Sequence, residues 1–279
     1  MTKTIGFLLN PHNGDVSAFA EEAKTHAHDL GLESWSLIVG LDEALGEHQC
    51  DLLVTVGGDG TFLHGARWAL ARDVMVAGVN RGRFGFLADW ETGDIRTLLG
   101  KYQTGDYQRH QLATLAASSS LELPEARAIN DIAIKASKIN VVRITVSVGD
   151  HEMGTFDGDG VIVATPTGST GYALSAGGPP IDPRLPAHVI VPLASHALSA
   201  RPVVVPADQP IRLRLEHGEG YFSIDGTTSD TCPNGSELLI EMGSNLSVLK
   251  PDDTPNFYAR LREKLQLGVP LKPIPGNPR

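Results

Sequence analysis

Cysteine is nearly absent. The 279-residue chain has two, Cys50 and Cys232, too few for a disulfide framework or a Cys-rich zinc site. Long apolar runs are missing too. None approaches the roughly 18–20 residues that span a bilayer, and the apolar stretch before Pro11 is too short, and lacks the cleavage site, for a secretory leader. These absences predict a cytoplasmic protein. Positive charge is also scarce: 23 Lys and Arg face 33 Asp and Glu, a net charge of −10. That excludes bulk binding to nucleic acid or an anionic membrane, which needs a basic face. It leaves room for small phosphorylated ligands, which backbone N–H groups and metal ions hold without many lysines. The ten histidines contain no His-Glu-x-x-His or similar metal spacing. There is no Gly-x-Ser-x-Gly nucleophile elbow, no internal repeat and no low-complexity tract.

Glycine is in excess, with 30 among 279 residues against a usual share of about 7 %. The composition, 41 % hydrophobic and 20 % charged, is that of a globular chain, and its length suggests two domains. The first hundred residues alternate strands and helices. Ile5–Asn10, Ser34–Val39, Leu52–Val56 and Val74–Val79 read as strands. Between them, Val16, Phe19, Ala20, Ala23, Ala27 and Leu30 recur at helical spacing up to Gly31, and helices are predicted over Thr61–Arg72 and near Asp94–Tyr102. This alternation predicts a mostly parallel, doubly wound α/β domain. From Tyr107 to Lys250 the pattern becomes short strands between turns, among them Ile139–Val148, Val161–Ala164, His188–Pro192, Ile211–Leu215, Tyr221–Ile224 and Glu237–Glu241, with one possible helix at Ser169–Ala176. That half predicts an all-β, sandwich-like domain. A helix over Asn256–Leu267 is expected to pack back on the first domain. The boundaries are then 1–105 plus the returning tail 256–279, and 106–255.

Four constellations carry polar chemistry. Gly57-Gly58-Asp59-Gly60-Thr61 sits at a strand-to-helix junction, where glycines let backbone N–H groups approach a polyphosphate and the helix N-terminus favours negative charge. It is not a Walker A loop, because Ala66-Arg67 follow Gly65 where Lys-Ser/Thr is required. A carboxylate in such a loop suits proton transfer in phosphoryl transfer; the alternative is a tight turn with Asp59 capping the next helix. Second, seven glycines lie between Gly154 and Gly178, around Thr165-Pro166-Thr167-Gly168-Ser169-Thr170-Gly171-Tyr172. Small residues there admit a ligand close to backbone, and Tyr172 offers a ring for stacking; the alternative is a Gly/Ser loop without a ligand. Third, Asn130-Asp131 interrupts an apolar run, as a polar site or a plain turn. Fourth, Asn80-Arg81-Gly82-Arg83-Phe84-Gly85 brings two arginines after a strand, to face phosphate or solvent.

The order of these blocks, with Leu198-Ser199-Ala200-Arg201-Pro202 and Ser223-Ile224-Asp225-Gly226 further on, resembles the bacterial-type NAD kinases over roughly residues 5 to 265. Gly-Gly-Asp-Gly-Thr is shared with other kinases; the Thr-Pro-Thr-Gly-Ser-Thr block is more specific. The resemblance implies transfer of the γ-phosphoryl of ATP to the 2′-hydroxyl of the adenosine ribose of NAD, giving NADP, in a homo-dimer or homo-tetramer. It implies a divalent cation, Mg²⁺ by preference, held through the ATP phosphates with no metal ligand assigned to the chain. It makes Asp59 the general base and Gly57, Gly58, Gly60 and Thr61 the phosphate loop. NAD contacts are carried over to Asp59, Gly60, His64, Asn130, Asp131, Asp159, Thr170, Gly171, Tyr172, Ala173, Leu174, Ser175 and Ala194. Gly171 stands where Ala is usual, Asp157 where some relatives carry Arg, and Thr227-Thr228 where Gln is common. Polyphosphate or another nucleotide stays open as donor. One rival is a lipid or sugar kinase on the same loop, disfavoured by Gly78-Val79-Asn80-Arg81-Gly82 in place of Gly-Thr-x-Asn-Asp. The other is a non-catalytic dinucleotide sensor, disfavoured by the presence of Asp59.

Overall fold

The computed structural model describes residues 2–11, 16–40, 45–81, 85–120, 126–137 and 141–268. The first hundred residues alternate as the periodicity predicts: β1 (Thr4–Leu9), α1 (Val16–Asp29), β2 (Glu33–Ile38), β3 (Leu52–Gly57), α2 (Asp59–Leu70), β4 (Met75–Asn80), β5 (Trp90–Glu91) and α3 (Ile95–Thr104). β1 runs parallel to β2 and β3, and β3 parallel to β4. β3 is buried along its whole length, as a parallel strand covered on both faces must be. Its alternate residues serve two clusters. Leu52, Val54 and Val56 pack with Phe19 and Ala23 of α1 and Leu98 of α3, whereas Leu53 packs with Phe62, Ala66 and Ala69 of α2. Gly31, at φ +72°, closes α1: its N–H reaches the His28 carbonyl and the Leu32 N–H the Ala27 carbonyl, the pattern of a C-terminal glycine cap.

Further on come β6 (Arg109–Leu112), β7 (Leu115–Ser119), β8 (Ala126–Ala128), β9 (Asp131–Ala136), β10 (Val142–Val148), β11 (His151–Gly158), β12 (Gly160–Ala164), the short α4 (Tyr172–Ser175), β13 (Ala187–Leu193), β14 (Val203–Pro206), β15 (Ile211–His217), β16 (Gly220–Ile224), β17 (Thr227–Cys232), β18 (Glu237–Met242), β19 (Leu246–Leu249) and α5 (Phe257–Leu265). Two six-stranded sheets form, ordered β11-β10-β15-β18-β7-β8 and β14-β13-β12-β9-β16-β17. They face each other across Ile132, Ile134, Val161 and Val163 on one side and Ile144, Leu213, Leu215 and Ile240 on the other, a β-sandwich core. α4 covers the outer face of the second sheet, with Ala173 against Ala133, Ile162 and Val191.

The sheets do not change at residue 105. β6 and β19 extend the first sheet: β19 pairs in parallel with β4 and antiparallel with β6. Leu246 and Val248 pack beside Phe62, and Leu249 joins the cluster on the opposite face, so β19 covers the open edge of β4. The α5 helix does pack back, through Arg260 on Phe86 and Asp89. The expected helix at Ser169–Ala176 is a 3-10 turn, Gly168–Thr170, followed by α4, with the break at Gly171. The turn around Asn13-Gly14, residues Gly82, Arg83, Phe84 and Ile139, and the tail beyond 268 lie outside the described residues. Among the described residues no helix is long and apolar enough to cross a membrane, which says nothing of membrane β-barrels.

Candidate active site

β3 ends at Gly57 and α2 starts two residues later, with Gly58 as an N-cap that has no side-chain cap bond. Asp59 is therefore not the cap. It occupies the first helical position, and its carboxylate turns to the segment after β4. It accepts N–H bonds from Phe86 (2.8 Å), Leu87 (3.0 Å) and Ala88 (3.4 Å). A side chain at Gly85 would collide with this carboxylate, so glycine there keeps the clasp closed. The loop glycines divide by role. A Cβ at Gly57 would strike the hydroxyl of Thr61, which is buried and takes a hydrogen bond from Asn10 at 3.0 Å. Over Gly58 and Gly60 nothing among the described residues lies within 4 Å of a Cβ position. The open space at the C-terminal edge of the parallel strands, where ligands bind in such sheets, is above these two. Arg81 donates its backbone N–H to Gly57, and its guanidinium lies over the ring of Phe19 at 5.4 Å. His64 is exposed on α2; partial burial, and after it the Arg67 charge, hold its imidazole below the usual value.

The Thr-Pro-Thr-Gly-Ser-Thr block is fastened to the chain just before β9. Thr165 bonds the Ile129 carbonyl through its hydroxyl (2.8 Å) and the Asn130 carbonyl through its N–H (2.9 Å). A side chain at Gly168 would run into the Asn130 backbone. Ser169 is committed internally, accepting from Ile181 N–H at 2.7 Å and donating to Pro166. Asn130 keeps a buried Oδ1 that has no hydrogen-bond partner among the described residues; such a group is costly unless something satisfies it. Asp131 is buried beside it, and its carboxyl is pushed up to about 7, first by burial and then by the charge of Asp225, with Lys135 opposing. A cavity of about 570 Å³ opens between α5, Phe86 and Leu87, and Thr167 and Thr170. The residues that hold Asp59 and the turn after Thr165 thus border one opening.

A profile of the ATP-NAD kinase N-terminal domain matches residues 13–107, and one of the C-terminal domain matches residues 129–249. The chain belongs to the NAD kinase family. It is 39 % identical over 226 residues to the NAD kinase of Heliobacterium modesticaldum, covering 79 % of this chain and 80 % of that one. It is 40 % identical over 264 residues to the NAD kinase of Magnetococcus marinus, covering 92 % and 85 %. An NAD kinase from Archaeoglobus fulgidus in complex with ATP is similar in structure, with a TM-score of 0.77 and 26 % identity over 92 % of this chain and 98 % of that one. Yeast NADH kinase complexed with NADH shares the fold, with a TM-score of 0.87 over 98 % and 90 % at 21 % identity.

In this member of the NAD kinase family the expected contacts fall into two groups. Asn130, Asp131, Thr170 and Gly171 cluster, with Gly171 in contact range of the Asn130 side chain. Tyr172 is partly exposed, with the Lys135 ammonium 4.8 Å from its ring centre. Ala173 is buried against the sheet, Leu174 half-buried and Ser175 exposed. Asp159 and Ala194 lie elsewhere. β9 and β12 run antiparallel with Asp131 opposite Ala164 and Ala136 bonded to Asp159. Five residues of strand, about 17 Å, therefore separate Asp159 from Asp131. Ala194 follows β13 beside Gly158, at φ +43°. Asp157 pairs with Arg143 through two bonds of 2.8 and 3.0 Å, and Thr227 accepts from Arg67 at 2.9 Å. The Thr228 side chain lies outside the described residues.

Three residues were given no role in the sequence reading. Asp225 sits at φ +47° in the turn after β16, and its carboxylate accepts the backbone N–H groups of Ile129 (3.0 Å), Asn130 (2.7 Å) and Asp131 (3.2 Å). Burial raises its pKa, and those three bonds oppose the shift. Arg67, from α2, reaches the same turn through the Ile224 carbonyl (3.2 Å) and Thr227. Lys135 lies between the rings of Tyr172 and Tyr221. The Ser-Ile-Asp-Gly string was the available signal for Asp225; nothing in the sequence marks the other two.

Proposed function

We propose that the chain transfers the γ-phosphoryl of ATP to the 2′-hydroxyl of the adenosine ribose of NAD, with Asp59 as general base. The observation that carries this reading is the Asp59 carboxylate, held by three amides beside the open space over Gly58 and Gly60. A ribose hydroxyl is a weak nucleophile. Asp59 accepts its proton as the oxygen attacks the γ-phosphorus, and the bond to the bridging oxygen breaks to release ADP. The N–H groups at the start of α2 face the phosphates. Asn130, with its unsatisfied Oδ1, and Asp131 are read as polar contacts of NAD, and Tyr172 as a stacking face. Among the described residues no cluster of three or more His, Cys, Asp or Glu can hold a metal ion. A divalent cation, Mg²⁺ by preference, fits instead as one bound mainly through phosphate oxygens, and it would neutralise charge on them. A homo-dimer or homo-tetramer belongs to this reading, and Asp159 and Ala194 stay in it as further NAD contacts. So does a cytoplasmic location, which the two free cysteines suit. The direct test incubates the protein with NAD, Mg²⁺ and either ATP or polyphosphate and follows NADP with an NADP-specific dehydrogenase. NADP formed with neither donor present, or with neither donor consumed, rejects the reading, as does no NADP at all.

Tyr172→Ala is expected to raise the KM for NAD several-fold, with kcat within about twofold, because stacking on an aromatic face is worth roughly 1 kcal/mol or more. Steady-state kinetics at varied NAD reads this directly, and an unchanged KM removes Tyr172 from the site. Asp131 makes stability depend on pH. Unfolded, the carboxyl ionises near 4; folded, it holds its proton up to about 7. The folded state binds more protons between these values, so the stability it contributes is full below about 4 and is lost as pH rises through 7. Thermal unfolding from pH 5 to 8 is expected to show this decline in the parent and a flatter profile in Asp131→Asn.

A further inference from the structure

We infer that Arg260, on the C-terminal helix α5, is a positioning residue for the Asp59 carboxylate; this rests on the assignment of Asp59 as general base. The Arg260 side chain is 6 % exposed, and its bonds include three directed ones to described residues. Its Nε donates to the Pro255 carbonyl at 3.1 Å, its Nη1 to the Phe86 carbonyl at 2.7 Å, and its Nη2 to Asp89. The Phe86 carbonyl and the Leu87 N–H belong to one peptide group, and that N–H donates to Asp59 Oδ1 at 3.0 Å. The peptide group is planar, so holding its oxygen sets the direction of its N–H. A cation on the oxygen also polarises the N–H and strengthens the bond beyond it. A chain therefore runs from the guanidinium through one peptide plane to the catalytic carboxylate.

Two features favour positioning over simple stabilisation. Asp89 already has a second cation, since Lys250 Nζ lies 3.2 Å from its other carboxylate oxygen, so neutralising Asp89 does not require Arg260. A buried ion pair is moreover a weak source of net stability, because desolvation offsets most of the attraction. The planar fork is what one residue needs to reach three fixed acceptors at once, and a lysine ammonium lacks that reach.

The test is steady-state kinetics with NAD, ATP and Mg²⁺ on the full chain. Arg260→Lys is expected to lower kcat about tenfold with the KM for NAD within about twofold. Asp89→Asn, which leaves the bond to Phe86 available, is expected to lose thermal stability while keeping kcat within about twofold. In an Asp59→Asn background, Arg260→Lys is expected to cost nothing further, because both act through one group. A parental kcat in Arg260→Lys, or a full additional loss in the double variant, overturns the inference. If Arg260→Lys does not fold, Arg260→Gln takes its place under the same criteria. Asp59→Asn assayed alone separates the two claims: full turnover there sinks the base assignment, whereas a large loss there with a parental Arg260→Lys sinks only the positioning role.

Discussion

Asp59→Asn is expected to lower kcat by about 10²–10⁴-fold, the range of a general base, while the KM for NAD changes little. The substitution is nearly isosteric. On the proposed mechanism it removes the group that accepts the ribose proton, and it leaves the loop glycines and the Asn130 cluster as they are. The clasp limits collateral damage. Asn can still offer one oxygen to the amides of Phe86, Leu87 and Ala88, although its NH₂ then faces an N–H donor, so a modest fall in thermal stability is expected beside the kinetic loss. Loss in kcat without loss in KM is the signature of an interaction made only in the transition state. Turnover near the parental level would remove Asp59 from the chemistry and leave the clasp as a structural device alone.

The second large effect is expected at Asp225. Asp225→Ala strips acceptors from three consecutive part-buried N–H groups, those of Ile129, Asn130 and Asp131. A single unsatisfied buried donor costs about 1–3 kcal/mol, so a loss of about 3 kcal/mol is expected after relaxation and hydration. Ala at φ +47° adds backbone strain. The KM for NAD is expected to rise tenfold or more, because the segment presenting Asn130 and Asp131 loses the anchor that orients it. Denaturant unfolding and NAD titration measure the two effects. Asp225→Asn is the milder change, since Asn tolerates the left-handed conformation and keeps one acceptor. It also removes the negative charge that helps raise the Asp131 carboxyl to about 7. With the titration closer to its ordinary value, the fall in stability is expected at lower pH than in the parent. A pH profile identical to the parent's counts against the coupling of the two carboxylates.

Much of the fold was legible because burial leaves a period in the sequence. β3 reads as an unbroken apolar run since both of its faces are covered, and α1 reads at helical spacing since one face is buried. The glycine excess singled out the loop after β3 and the turn after Thr165, and Asn130-Asp131 stood out as polar residues in an apolar run. The allocation of short strands among sheets was not legible. β6 and β19 look like any other strand of the second half, and only the free edge of β4 decides that they join the parallel sheet. Nor could the loop glycines be told apart. Gly57 makes room for Thr61, whereas Gly58 and Gly60 face no neighbour among the described residues.

The sequence by itself determined the element types, the placing of a carboxylate at a strand-to-helix junction, and the family to which the chain belongs. Each follows from local patterns, periodicity or residues adjacent in the chain. Only the tertiary structure decided what holds that carboxylate and its neighbours. The partners of Asp59, Asn130 and Phe86 lie 27, 95 and 174 residues away along the chain. Hydrogen bonds over such separations depend on how sheets and helices pack in space, and no residue spacing encodes them.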